Sequence, residues 1–265
     1  MDCRVAFAPR NDKCRNSMKP TFLPISNGLL AYHLSEGKSP CVIFMGGFKS
    51  DMTGSKATAL ESFCQSRGQR FIRFDYTGHG QSSGAFIDGS IGAWTQDALD
   101  VVDTLGGEDI ILVGSSMGAW LALLVALARP QKIKALVGVA SAPDFTEALI
   151  WNKLDAAQKS DLMDKGVFYA PSCYGEEPYP IIKKLIEEAR AHLLMQSNIA
   201  ITCPVRLIHG DKDADVPWQH SVKLKELLES TDTQLTIVKD GDHRLSAPDH
   251  LQLLCKTLET LLPNP

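Results

Sequence analysis

Apolar residues come along this chain in two rhythms that take turns. Short continuous runs rich in branched side chains read as buried strands, and longer stretches with apolar positions three and four apart read as helices. Strand-like runs cover 41–45, 70–74, 110–113, 133–140, 205–208 and 234–238, and helical stretches follow them at about 56–67, 91–105, 117–128, 219–228 and 249–262. Strand then helix, repeated, predicts an α/β fold with a mostly parallel central sheet and helices on both faces. Ahead of the first such unit, the runs 21–25 and 29–34 flank Ser26-Asn27-Gly28, which predicts an antiparallel hairpin at the edge of the sheet.

The rhythm breaks once. From about 145 to 199 there are two helical patterns, 156–165 and 181–196, separated by Tyr169-Ala170-Pro171-Ser172-Cys173-Tyr174. An insertion of that length in a compact domain is expected to be a lid or a binding element. Its Trp151, Phe168, Tyr169, Tyr174 and Tyr179 either line an apolar pocket or form a small core of the insertion's own. With no internal repeat and no linker, residues 20–265 are expected to form one domain and residues 1–19 a flexible tail.

The run over 110–113 passes directly into Gly114-Ser115-Ser116-Met117-Gly118 and then into the apolar helical stretch. Strand, sharp turn and helix around G-x-S-x-G describe a nucleophile elbow, in which Gly114 and Gly118 let two backbones approach and Ser116 is presented in a strained conformation. Glycine and serine also make ordinary turns, so the motif gains its weight from partners further along the chain. A serine hydroxyl attacks a carbonyl only when a base takes its proton, most often a histidine held by a carboxylate, and on such a fold the acid and then the histidine come after the serine.

The loop after 205–208 offers Asp211, Asp213 and Asp215. Asp213 is the expected acid, because Gly210 stands three residues before it and Val216-Pro217 three and four after; Asp211 and Asp215 read as turn formers and a helix cap, and Asp144 is a fallback. The turn-rich stretch after the last strand carries His243, the expected base. Of the other histidines, His33, His79, His192 and His209 precede the acid, and His220 and His250 fall in or beside predicted helices as surface residues. His79, in a loop at the carboxyl edge, reads as a turn residue. Backbone N–H groups of Met117, after the nucleophile, and of Phe48, in the Gly46-Gly47-Phe48 loop, are the expected oxyanion donors. No histidine pair has metal-ligand spacing, so no metal and no cofactor are expected.

Composition narrows the class. The chain has 265 residues, 27 of them Lys or Arg against 31 Asp or Glu, for a net charge of −4 and no basic stripe, which excludes an electrostatic nucleic-acid footprint. Seven cysteines, odd in number and never spaced C-x-x-C, suit reduced thiols and predict a cytoplasmic protein, with a mitochondrial one as the alternative. No apolar run approaches the ~20 residues that cross a bilayer, so no stable membrane insertion is expected. The first residues are basic, with Arg4, Arg10, Lys13, Arg15 and Lys19 against Asp2 and Asp12, but lack the apolar stretch of a secretory signal; a tail is favoured over a weak targeting segment or sequence ahead of a start at Met18.

From about residue 25 to 262 the chain resembles the α/β-hydrolase superfamily, and more closely its animal mitochondrial family of palmitoyl-protein thioesterases and acyl-glucuronide esterases. The likeness rests on Phe71-Ile72-Arg73-Phe74-Asp75-Tyr76, on Ile111-Leu112-Val113-Gly114-Ser115-Ser116, on Cys203-Pro204-Val205-Arg206-Leu207-Ile208-His209-Gly210 with Val216-Pro217-Trp218, and on Asp242-His243-Arg244. It departs from that family at Gly46 and Phe48, where the family has proline and tyrosine. The resemblance implies a serine hydrolase of thioesters or esters, working through an acyl-serine on Ser116, Asp213 and His243. Its expected substrate is a small molecule or an acylated protein, and it is expected to be a monomer or small homo-oligomer. A carbon–carbon bond hydrolase, a small-ester carboxylesterase and a hydrolase-fold binding protein are the alternatives.

Overall fold

The computed structural model describes residues 19–26, 28–170 and 179–263. The expected tail, apart from Lys19, and Tyr174 of the insertion lie outside them. Thr21–Ile25 (β1) and Gly28–Ser35 (β2) form the antiparallel hairpin, and Lys38–Met45 (β3), Ser55–Ser66 (α1) and Gln69–Phe74 (β4) come next. Then come Ile91–Leu105 (α2), Ile110–Ser115 (β5), Met117–Ala128 (α3) and Ile133–Val139 (β6). The insertion holds Ala156–Lys165 (α4), Val167–Ala170 (β7), Tyr179–Ile182 (β8) and Lys183–Ala189 (α5). Val205–Gly210 (β9), Gln219–Leu227 (α6), Thr233–Val238 (β10) and Pro248–Glu259 (α7) complete the chain.

Eight strands make one sheet in the order β1-β2-β4-β3-β5-β6-β9-β10. β2 runs antiparallel to both β1 and β4, and every pairing from β4 to β10 is parallel. Because successive strand residues point to opposite faces, each central strand feeds two cores at once. Cys41, Ile43 and Met45 of β3 and Ile110 and Leu112 of β5 pack towards α2, α3 and α6, while Val42, Phe44, Ile111 and Val113 pack towards α1 and α7. This double burial is why those runs are continuously apolar rather than alternating.

The insertion differs most from expectation. β7 and β8 pair antiparallel with each other, a two-stranded sheet that the sequence pattern does not reveal. The helix expected over 181–196 is shorter, because Ile181 and Ile182 belong to β8 and the chain leaves α5 through a single tight turn, Arg190–His192. Beyond it the Asp144 carboxylate accepts the Leu194 and Met195 N–H groups, both at 2.8 Å, and this ties the end of the insertion to its beginning. Further ties are the Trp120 indole N–H to the His192 carbonyl at 3.1 Å and the Glu188 carboxylate to the Gly92 N–H at 3.0 Å. Trp151 and Phe168 pack with Leu162, Ile181 and Ile186 in a small core of the insertion's own, and Tyr169 is exposed.

The elbow is set by close backbone approach. A Cβ on Gly118 would lie 2.2 Å from the Met45 carbonyl oxygen, and one on Gly114 2.4 Å from the Gly118 carbonyl oxygen. Both obstacles are backbone, which cannot swing aside. Gly118→Ala is therefore expected to cost about 3 kcal/mol or more, because β3 and α3 must separate. Gly166, with φ 76° and nothing within 4 Å of the place a Cβ would take, is the contrast. Gly166→Ala should cost only about 1–2 kcal/mol from the left-handed backbone alone. Equilibrium denaturation of the two variants checks the ranking.

Candidate active site

Ser116 sits between β5 and α3 with φ 55° and ψ −119°, a conformation L-residues avoid. Its N–H is held by the Val139 carbonyl of β6 at 2.9 Å. The loop after β10 brings His243 to it, with Nε2 3.0 Å from Ser116 Oγ. Nδ1 of the same ring lies 2.7 Å from Asp213 Oδ2. Since a carboxylate only accepts, the ring proton is on Nδ1, which leaves Nε2 to take the serine hydroxyl proton.

Asp213 is wholly buried at its side chain and accepts from four donors. Oδ1 takes the Asp215 and Val216 N–H groups at 2.9 and 2.8 Å. Oδ2 takes His243 and also His209, whose Nε2 is 3.1 Å away. Burial alone would raise its pKa, but the hydrogen bonds from His209 and His243, the charge on His243 and the Val216 N–H outweigh that and hold it well below the usual carboxylate range. Asp215 does not cap α6, which starts after Trp218 without a side-chain cap. Asp211 makes its turn through its backbone N–H, 3.0 Å from the Val238 carbonyl. Asp144, the fallback acid, is spent on the insertion. Together Asp213, Asp215 and His243 form the one group among the described residues whose ligand atoms, all within 4.8 Å, could gather round a cation.

Two backbone segments lie next to the nucleophile, the first turn of α3 and the loop after β3. Met117 opens α3, so its N–H has no carbonyl partner within the helix and lies at the positive end of the dipole. The Gly46-Gly47-Phe48 loop runs beside the elbow, so close that a Cβ on Gly47 would be 3.4 Å from Ser116 Cβ. The Ser50 hydroxyl donates to the Gly47 carbonyl at 2.7 Å, and Lys49 takes a left-handed φ of 56°. The Phe48 ring meets Phe86, Phe145 and Trp94 edge-on, with centroids 4.9, 5.6 and 6.0 Å away, and Trp120 meets Phe145 at 5.8 Å. This aromatic cluster thus draws on the body of the fold and the start of the insertion.

Three histidines have partners that the sequence does not show. His79 is buried: its Nε2 accepts the Lys49 N–H at 3.3 Å, its Nδ1 faces the Thr77 carbonyl at 3.3 Å, and Tyr76, Phe86 and Trp94 enclose it. His220, expected at the surface, is half-buried: its Nε2 donates to the Pro143 carbonyl at 2.6 Å and burial lowers its pKa. His209 is buried completely. Its one signal in the sequence is its place at the end of a buried strand, immediately before Gly210. On α1, the Lys56 ammonium donates to the Arg244 carbonyl and braces the His243 loop, and burial pushes its pKa down to about 8.

Residues 43–171 match the family profile described as the alpha/beta hydrolase fold. The chain is 44% identical to the bovine mitochondrial palmitoyl-protein thioesterase ABHD10 over 94% of its length and 82% of that protein's, and 44% identical to the human one over 88% and 76%. Among solved structures, mouse alpha/beta hydrolase domain-containing protein 10 superposes with a TM-score of 0.86 at 40% identity, covering 92% of this chain and 98% of that one. A putative hydrolase from Agrobacterium vitis S4 gives 0.88 at 38% identity, with the same coverage. The chain belongs to the α/β-hydrolase superfamily and, within it, to the family of the palmitoyl-protein thioesterase ABHD10. The mammalian relatives are named as mitochondrial proteins, so they lend the cytoplasmic expectation no support. No helix among the described residues is long and apolar enough to cross a membrane.

Burial pushes the His79 pKa down to about 4 from 6.5, so the unfolded chain takes up a proton between those values and the folded chain does not. The stability carried by the neutral ring is present above pH 6.5 and is lost as the pH falls through about 4. Asp97, pushed up to about 6 by burial, acts with the opposite sign between about 4 and 6 and masks part of this in the wild type. The difference from His79→Gln isolates it. Between pH 7 and 4 the wild type should lose on the order of 2–3 kcal/mol more unfolding free energy than the variant, measured by urea titration.

Proposed function

We propose that this chain is a serine hydrolase that cleaves acyl thioesters, and the corresponding esters, through an acyl-serine intermediate. The observation that carries the reading is the continuous hydrogen-bonded series Ser116 Oγ, His243 and Asp213 at a strained elbow. His243 Nε2 takes the hydroxyl proton as Ser116 Oγ attacks the acyl carbon. Asp213, held anionic by its donors, steadies the imidazolium. The carbonyl oxygen gains negative charge and is received by the N–H groups of Met117 and Phe48. As the intermediate collapses, the Nε2 proton passes to the departing sulfur or oxygen. Water then enters, gives a proton to His243 and attacks the acyl-serine, which frees the acid and returns the proton to Ser116.

Substrate class follows from the walls. The part-exposed Phe48 and Phe86 rings at the oxyanion loop, backed by Phe145, favour an apolar acyl chain over an acetyl group. The relatives' name, palmitoyl-protein thioesterase, supports an acylated cysteine as the natural thioester. We read residues 20–265 as one hydrolase domain with the stretch at about 145–199 as its lid, and the relatives favour a mitochondrial setting.

Ser116→Ala should lower kcat by roughly 10⁴-fold or more and Asp213→Asn by about 10⁴-fold. In the wild type, kcat/KM for p-nitrophenyl esters should rise from acetyl to longer chains, and an S-palmitoyl peptide should be turned over. Activity retained in Ser116→Ala rules out the mechanism. A preference for acetyl esters, with no turnover of the peptide, rules out the substrate class while leaving the mechanism standing.

A further inference from the structure

Asp213 Oδ2 is shared by two histidines, and only His243 enters the chemistry above. The other, His209, stands at the end of β9 with no exposure to solvent. Its Nε2 faces two oxygens that can only accept: Asp213 Oδ2 at 3.1 Å and the Val216 carbonyl at 2.9 Å. A ring nitrogen so placed must carry the proton. Its Nδ1 lies 2.7 Å from the hydroxyl of Ser221, a fully buried residue of α6. That hydroxyl makes no other hydrogen bond among the described residues, so its proton goes to Nδ1 and the ring is the neutral Nε2–H tautomer.

We infer that His209 is a positioning residue of the proposed reaction, donating from Nε2 into the oxygen of Asp213 that His243 uses, and thereby fixing where that oxygen sits and how strongly it attracts the His243 proton. This rests on the triad reading above. Donation from His209 disperses charge on Oδ2 and weakens its hold on imidazolium. Ser221, by donating to Nδ1, makes the opposite N–H a stronger donor. Removing the donor leaves Oδ2 more basic and held on one side only. His243 then keeps its proton to higher pH, and Asp213 aligns it less well.

The charges around His243 are Asp213 and Asp215 from the acid loop, Asp242 and Arg244 on its own loop, and Lys56 from α1. Around His209 they are Asp213 and, on α6, His220. A change at 209 leaves every one of these in the chain, so a shift of the acid limb reads the donor itself.

The test is kcat/KM against pH, from 5 to 9, for the wild type, His209→Leu and His209→Gln. Leucine fills the space without a donor, and glutamine offers an N–H near the Nε2 position. His209→Leu should lower kcat about 10-fold or more and raise the acid limb by about 0.5–1 pH unit, with His209→Gln returning the limb to the wild-type position. A residue that merely filled space would lower stability in both variants and leave the limb unmoved. Coincident limbs in wild type and His209→Leu, or equal shifts in both variants, overturn the inference. Should the leucine chain not fold, Ser221→Ala decides: a smaller upward shift supports the role and an unmoved limb overturns it. If Ser116→Ala stays active, the triad reading has failed. If Ser116→Ala is inactive and the limb does not respond at 209, only this inference has.

Discussion

A single backbone conformation, φ 55° at Ser116, sets the terms for everything around it. Such a conformation costs an ordinary residue roughly 1–3 kcal/mol and persists only where its surroundings over-determine it. Here β5 and α3 close on each other at Gly114 and Gly118, the Met45 carbonyl of β3 closes on Gly118, and the Val139 carbonyl of β6 takes the Ser116 N–H. The register of three parallel strands is thereby locked to one side chain. A slip of one residue in β3 or β6 would turn their alternating side chains over and remove the support together. The apolar uniformity of these strands is thus a condition for presenting the hydroxyl as well as a source of stability.

Strain spreads outward from there in an ordered way. Lys49, Ala140, Asp144 and Leu245 also take left-handed backbone, and they lie in the loops that leave β3, β6 and β10. Two of these turns take part in hydrogen bonds between a side chain and distant backbone. The His79 ring receives the Lys49 N–H and steadies the loop that carries Phe48; the Asp144 carboxylate grips Leu194 and Met195 fifty residues on. Buried polar side chains serve these turns because water is excluded there, and an unpaired N–H would cost more than the side chain's own burial.

The legibility of the sequence divides along the same line. α2, α3 and α4 lie over the expected residues because local signals agree with the pattern: Ser90 caps α2, and Asp155 with Gln158 forms a capping box that opens α4, which Gly166 ends with φ 76°. Ser116, Asp213 and His243 are legible from their order and from turn chemistry. The strands β7 and β8 escape the pattern because four-residue strands carry little periodicity and their pairing spans 171–178. His79, His209 and His220 look like bystanders in the sequence because the oxygen or nitrogen that each one meets is brought to it by another loop or helix. Asp213 and His209 are only four residues apart, yet nothing in that spacing tells a bond from a coincidence until the turn at 210–216 is closed.

The placement of the aromatic residues bears on how specificity is built. Trp151 of the insertion lies within reach of Lys159 and Arg190, 5.1 and 4.8 Å from its ring, and packs in the insertion's own core rather than in the cluster around Phe48. Phe48, Phe86, Trp94 and Trp120 belong instead to segments anchored on the sheet or on α2 and α3, with Phe145 at the first step of the insertion. Phe48 follows β3 and Trp120 lies on α3, the two elements that close on each other at Gly118, so these rings are carried by the frame that fixes Ser116. The aromatic cluster around Phe48 and the elbow then belong to one packed frame, distinct from the small core that the insertion keeps for itself.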